Sequence, residues 1–109
     1  MNEMRVELRS NDVDDLRASL REAAIAWNEF ATEGVTGLDV IHVVIDVSQV
    51  SGPRLAAIIS AMIMKGVNIV IVYDGKRTEL TSEESVEEAI LAATNAHRHA
   101  WLFRPDVKR

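Results

Sequence analysis

Val-Ile-His-Val-Val-Ile-Asp-Val, residues 40–47, is a β-branched run that is almost continuously apolar instead of alternating. This pattern is typical of a strand that is covered on both faces, and such strands are usually central and parallel. The sequence therefore predicts a buried strand here, in a mostly parallel sheet.

The segments that follow this strand predict a turn, a helix and a second buried strand. Residues 48–52 form the turn, and Pro53 suits the first turn of a helix because its missing N–H costs nothing there. The helix over residues 53–65 ends at Gly66. Residues 67–73 then form the second strand, which we expect to run parallel to the first.

The flanking segments complete the predicted order β-α-β-α-β-α-(β). Alternating apolar and charged residues at 4–9 predict a short half-buried strand. A helix capped by Asn11 or Asp12 is expected to continue to about Glu33. A capping box at Thr81 opens the last helix, and residues 100–103 are expected to form a closing strand.

Composition limits both the architecture and the chemistry. The chain has 109 residues, no cysteine, 48% hydrophobic residues and a formal net charge of −5. These values predict one α/β domain over residues 1–109, with three helices and a mostly parallel sheet of three to four strands. Disulfides and cysteine-held metals are excluded, and the acidity argues against nucleic-acid or anionic-membrane partners. The charged N-terminus and the absence of a long apolar run favour a cytoplasmic location.

Enzymatic motifs are sparse, so no catalytic residue, metal or cofactor is assigned. His42 lies within the central strand, and His97 and His99 are two positions apart, which does not suit a metal pair on a helix. The turn after the central strand matches no phosphate-binding motif. An alternative remains open, in which polar side chains at the strand ends line a ligand or enzyme site: Asp46, Ser48, Ser51 and Asp74.

The second helix is apolar around most of its circumference, which is more than a helix covering a sheet needs. Its surplus apolar surface is either buried under Trp101 and Phe103 or exposed to a partner or a second copy. On the second interpretation, Ile58 and Met62 point outward.

A partial family resemblance rests on three motifs. Residues 43–50 read Val-Val-Ile-Asp-Val-Ser-Gln-Val, Ser51-Gly52 opens a hydrophobic helix, and residues 65–72 read Lys-Gly-Val-Asn-Ile-Val-Ile-Val. These motifs resemble those of the STAS family, the anti-sigma-factor antagonist and sulfate-transporter domain, over about residues 39–73. The turn after Val50 is shorter than in the family and lacks the acidic residue beside the serine.

The resemblance implies a non-catalytic, STAS-like interaction and regulatory module. Its partner would be another protein, such as a kinase-type or sigma-factor regulator, and Ser51 would be the candidate for phosphorylation. The predicted surface combines the turn with the outward side of the second helix: Asp46, Ser48, Ser51, Arg54, Ile58 and Met62. The alternatives are the ligand or enzyme site at the strand ends and a structural homo-oligomer.

Overall fold

The part of the chain that the structure describes contains five strands and three α-helices, in the order β-α-β-β-α-β-β-α. The computed structural model describes residues 3–33 and 39–102, with side chains through residue 94. The strands are β1 (Glu3–Arg9), β2 (Asn28–Thr32), β3 (Val40–Asp46), β4 (Ile69–Tyr73) and β5 (Lys76–Leu80). The helices are α1 (Val13–Glu22), α2 (Gly52–Met64) and α3 (Glu83–Leu102). No helix among these residues is both long and apolar enough to cross a bilayer.

The strands form one sheet in the order β2-β3-β1-β4-β5, and every neighbouring pair is antiparallel. The first six elements, β-α-β-β-α-β, follow the split βαβ arrangement of ferredoxin-like folds, and β5 and α3 extend it. The expectation of a mostly parallel sheet with three to four strands is therefore wrong. Strands β3 and β4 do run in the same direction, but β1 lies between them.

The apolar run of β3 was misleading because its two faces are covered by different means. Ile41, Val43 and Ile45 enter the main core, where the helices cover them. On the other face His42 is only 8% exposed, although no helix covers it; an aromatic ring and charged side chains surround it instead. Burial on both faces thus does not require the helices on both sides that a parallel sheet has.

The helices pack on one face of the sheet and share one core with it. The strand residues that enter this core alternate along each strand, as the pleat requires. The strands contribute to this core Met4, Val6, Leu8, Ile41, Val43, Ile45, Ile69, Ile71 and Leu80. The helices contribute chiefly Val13, Leu16, Leu20, Leu55, Ile59, Met62, Val86 and Ile90.

Helix α1 ends eleven residues earlier than the apolar periodicity predicted, at Glu22 instead of Glu33. Ala24 adopts a left-handed conformation with φ of 59°, and the Ile25 amide donates to the Leu20 carbonyl. This arrangement is a helix C-terminal motif formed without the usual glycine. The following residues turn back and pair with β3 as β2.

The C-terminal third also departs from the prediction. Asp74 and Gly75 both have positive φ, as a two-residue hairpin turn requires, and they join β4 to a strand that the charged sequence of β5 concealed. Ser82 and Ser85 cap α3 by accepting each other's backbone amides, in place of the predicted Thr81 box. Helix α3 continues through Leu102, so the closing strand is wrong for residues 100–102, and Phe103 lies outside the described residues.

Candidate interaction surfaces

The turn after β3 is held by its own side chains. Asp46 Oδ1 accepts hydrogen bonds from the Ser48 amide at 3.0 Å and from the Ser48 hydroxyl at 2.6 Å. Ser51 Oγ accepts from the Arg54 amide at 3.4 Å and caps α2. Four of the predicted surface residues therefore lie close together, and three of them have a structural task in forming the turn and the helix start.

The strand ends that carry the alternative site lie at the same end of the sheet, where β3 and β4 finish on either side of the start of β1. Asp46 pairs with Glu3 at the start of β1, and Asp74 follows the end of β4 on the other side of β1. Within residues 3–33 and 39–94, no group of three or more histidine, aspartate or glutamate side chains could hold a metal ion. A cleft of about 430 Å³ between the β4–β5 hairpin and α3 includes Asp74 of this site and is also lined by Tyr73 and Glu88.

Of the two α2 side chains that were predicted to point outward, one is buried and the other is partly exposed. Met62 is 3% exposed and belongs to the core, so its assignment to the surface is wrong. Ile58 is half-buried and packs against the same core. The side of α2 that does face outward carries Pro53, Arg54, Ala57, Ala61 and Met64, and Met64 is 72% exposed.

The exposed side of α2 lies between two shallow grooves; we call this side together with the two grooves the α2 trough, and the exposed side itself its floor. On the α1 side it continues into a groove of about 570 Å³, and on the α3 side into one of about 330 Å³. Ala57 and Ala61 line both grooves, so short apolar side chains form the surface between them. Ile58 adds an apolar wall on one side and Leu91 on the other.

The rim of the α2 trough is mainly acidic. Glu22 of α1 lines one groove, and Glu83 and Glu87 of α3 line the other. Arg54, at the N-terminal end, is the basic side chain among the residues that line these two grooves. An apolar floor between carboxylates on both sides favours a ligand that is apolar on one face and basic at its edges.

The sheet face opposite the helices, which we call the open face, has no covering element among the described residues. Directly paired residues on neighbouring strands share a face, so the register arranges the centre of the open face in two rows that cross all five strands. The glutamate row consists of Phe30, His42, Glu7, Val70 and Glu79. The arginine row consists of Asn28, Val44, Arg5, Val72 and Arg77.

An ion cluster occupies the centre of the open face. Glu7 is 8% exposed, and Arg77 Nη1 donates to its two carboxylate oxygens at 2.9 and 3.0 Å. Arg5 Nε also donates to Glu7, at 3.3 Å. A carboxylate this buried needs such partners, because unpaired it would lose its hydration without compensation.

His42 completes the cluster as a neutral side chain. Its ring stacks on Phe30 with centroids 4.5 Å apart, and Nε2 lies 2.9 Å from the Thr32 hydroxyl. Burial lowers the pKa of His42 below 6.5; Glu7 opposes this shift, and the cations of Arg5 and Arg77 add to it. Nδ1 lies 3.5 Å from Glu7 and has no hydrogen-bond partner among the described residues.

The sequence interpretation missed the open face because its residues come from five separate strands. The alternation at residues 4–9 did place Arg5 and Glu7 on one face, which was the available signal. Arg77 and Phe30 were missed because β5 and β2 were not recognised as strands. The remaining predicted residues cluster at the N-terminal end of α2, next to the trough.

Comparison of the chain with protein-family models, with curated proteins and with solved structures finds no match.

Proposed function

We propose that this protein is a non-catalytic protein-interaction module whose α2 trough binds an amphipathic helix with basic flanks. The observation that carries the proposal is the trough itself, with small apolar residues on its floor and carboxylates along both walls. Helix-in-groove recognition uses this combination, because apolar anchors supply affinity and the charged rim sets the orientation.

The dimensions of the trough support a helical partner. From Pro53 to Met64 the floor extends over about 18 Å, at 1.5 Å per residue of α2. Three turns of a second helix fit along this length. Ala57 and Ala61 allow the partner backbone to approach closely, and the flexible thioether of Met64 adapts to the side chains it meets.

A designed peptide tests the proposal without knowledge of the natural partner. The probe is a leucine–lysine helix with leucines on one face, and the control is a leucine–glutamate helix with the same spacing. We expect the lysine peptide to shift the amide NMR signals of α2 and of the facing sides of α1 and α3. The glutamate peptide should bind at least about tenfold more weakly, because the acidic rim repels it.

A matched pair of variants separates trough binding from general attraction to an acidic protein. Ala61→Lys puts a long cationic side chain on the floor and should weaken binding of the lysine peptide at least about tenfold. Ala18→Lys makes the same change on an exposed position of α1 that does not line the trough, and it should change affinity less than about twofold. Equal effects of the two variants would contradict the proposal.

The regulatory part of the proposal concerns Ser51. Its side chain is exposed and lies three residues before Arg54, at the N-terminal end of the trough. A phosphoryl group there would add about −1.5 to −2 charges and strengthen attraction to a basic helix. Ser51→Asp keeps a good helix cap and should tighten binding of the lysine peptide. An unchanged or weaker affinity would argue against phosphorylation as a positive signal.

A further inference from the structure

We infer that the open face is a homodimer interface, in which two copies of this chain pack sheet against sheet about a twofold axis. The inference is independent of the α2 trough, which lies on the other side of the molecule. It rests on the order of charges in the two rows and on the apolar residues between them.

The open face carries more apolar surface than a solvated face needs. Phe30 is 49% exposed, and Val44, Val70 and Val72 are each partly exposed around the central ion cluster. An antiparallel sheet with one face in water normally alternates apolar and polar residues along each strand. Here β4 presents isoleucines to the core and valines to the open face, so the outer side of this strand is suited to packing.

The charges on the open face are complementary to those of a copy of the same face. A twofold axis running across the strands, between the two rows, places the arginine row of one copy over the glutamate row of the other. Each residue then faces the neighbour two positions away on its own strand. The exposed Glu79 meets Arg77 at symmetric positions on both halves of the interface, and Arg5 lies over the buried ion cluster of Glu7.

The same rotation also matches the apolar positions. Val70 meets Val72 of the second copy, and His42 meets its Val44. Phe30 of the second copy arrives over Asn28, next to a hollow of about 290 Å³ that is lined in part by Val44, Val72 and the first copy's own Phe30. Strands of the two sheets then run roughly antiparallel to each other, within the range of aligned sheet packing.

The size of the face indicates a weak dimer. Five strands about 4.8 Å apart and five residues of about 3.4 Å each cover roughly 24 by 17 Å. The projected area is on the order of 400 Å² per copy, smaller than the ~800 Å² per partner of a standard stable interface. The dimer should therefore be weak and dissociate on dilution.

Sedimentation velocity of the full chain, from one micromolar to half a millimolar at pH 7.5, tests the inference. We expect a monomer–dimer equilibrium for the wild type. Glu79→Arg turns two symmetric attractions into repulsions and should raise the dissociation constant about tenfold or more. Asp15→Arg makes the same charge change on an exposed position of α1 and should leave it within about twofold.

Val72→Glu provides a second variant on the arginine row. The new carboxylate lies between Arg5 and Arg77 of its own chain, so the fold should tolerate it, which circular dichroism checks. It removes the contact with Val70 of the second copy and should also shift the equilibrium to monomer. A wild type that stays monomeric throughout the series overturns the inference. So does a dimer that neither Glu79→Arg nor Val72→Glu weakens.

Discussion

At Gly52, helices α2 and α3 lie so close together that there is no room for a side chain. A Cβ built there would come closer than 3.0 Å to the Thr94 hydroxyl oxygen, a separation that real Cβ atoms essentially never show, and would lie 3.0 Å from Leu91 Cδ2. Thr94 is buried and its hydroxyl donates to the Ile90 carbonyl, so it has little freedom to move away. We therefore expect Gly52→Ala to force the two helices apart.

Two opposing contributions decide whether Gly52→Ala raises or lowers the free energy of unfolding. Replacing glycine by alanine at a compatible helical position stabilises a protein by about 0.4–1 kcal/mol, because the unfolded chain loses freedom. Overpacking a well-packed contact costs about 1–3 kcal/mol. Since the backbone at Gly52 is helical and the nearest atom belongs to a buried side chain, the second term is the larger. Gly52→Ala should lower the free energy of unfolding by about 1–2 kcal/mol.

A double-mutant cycle in urea, followed by circular dichroism, measures this directly. Thr94→Ala removes the obstructing oxygen, so adding Gly52→Ala to that background should be neutral or stabilising by up to about 1 kcal/mol. The coupling energy between the two positions should then be at least about 1 kcal/mol. The reasoning is refuted if Gly52→Ala does not destabilise the wild type, or if it destabilises the Thr94→Ala variant equally.

Three further predictions concern single side chains. Hydrogen bonds from Arg17 and Trp27 hold the pKa of Glu29 below 4.5. The ionised carboxylate therefore stabilises the fold above that pH, and this contribution is lost as the pH falls through the depressed value. In urea titrations at several pH values, the free energy of unfolding of Glu29→Gln should differ most from the wild type near neutrality and converge with it in acid. Burial lowers the pKa of His42 in the folded chain, so the unfolded chain takes up a proton there first and folding stability falls as the pH drops from the ordinary value through the lowered one. His42→Gln should lack this part of the pH dependence in urea titrations. Gly75 has φ of 79° in the hairpin turn, and Gly75→Ala should lower the melting temperature by the equivalent of about 1 kcal/mol; an unchanged melting temperature would contradict a strained turn.

The sequence predicted most of the elements but not how they pair. The strands at β1, β3 and β4 and the helix at α2 were expected close to where they lie, because their apolar patterns are long and regular. The parallel sheet was wrong because a continuous apolar run reports burial, and burial does not reveal the direction of the neighbouring strand. That β1 separates β3 from β4 depends on contacts between distant segments, which no local pattern contains.

The candidate surfaces were predicted only in part, for a similar reason. The exposed side of α2 was anticipated, yet the periodicity could not decide which of its apolar residues face outward, and Met62 was placed on the wrong side. Ala57 and Ala61 were not predicted as part of an interaction surface, because small residues alone do not distinguish an exposed helix side from a buried one. The ion cluster of Glu7 and Arg77 joins residues seventy positions apart, so only the fold could bring it together.

The central position of β1 has a consequence for how the chain acquires its structure. This strand is synthesised before either of its neighbours, and its partners lie 31–43 positions downstream in β3 and 63–69 positions downstream in β4. Until Tyr73 has left the ribosome, one edge of the strand and its apolar side chains have nothing to pair with. Such non-local pairing makes folding slow and leaves the nascent chain open to aggregation. Assembly of this domain should therefore be a late event in its synthesis, after β4 has become available to pair with β1.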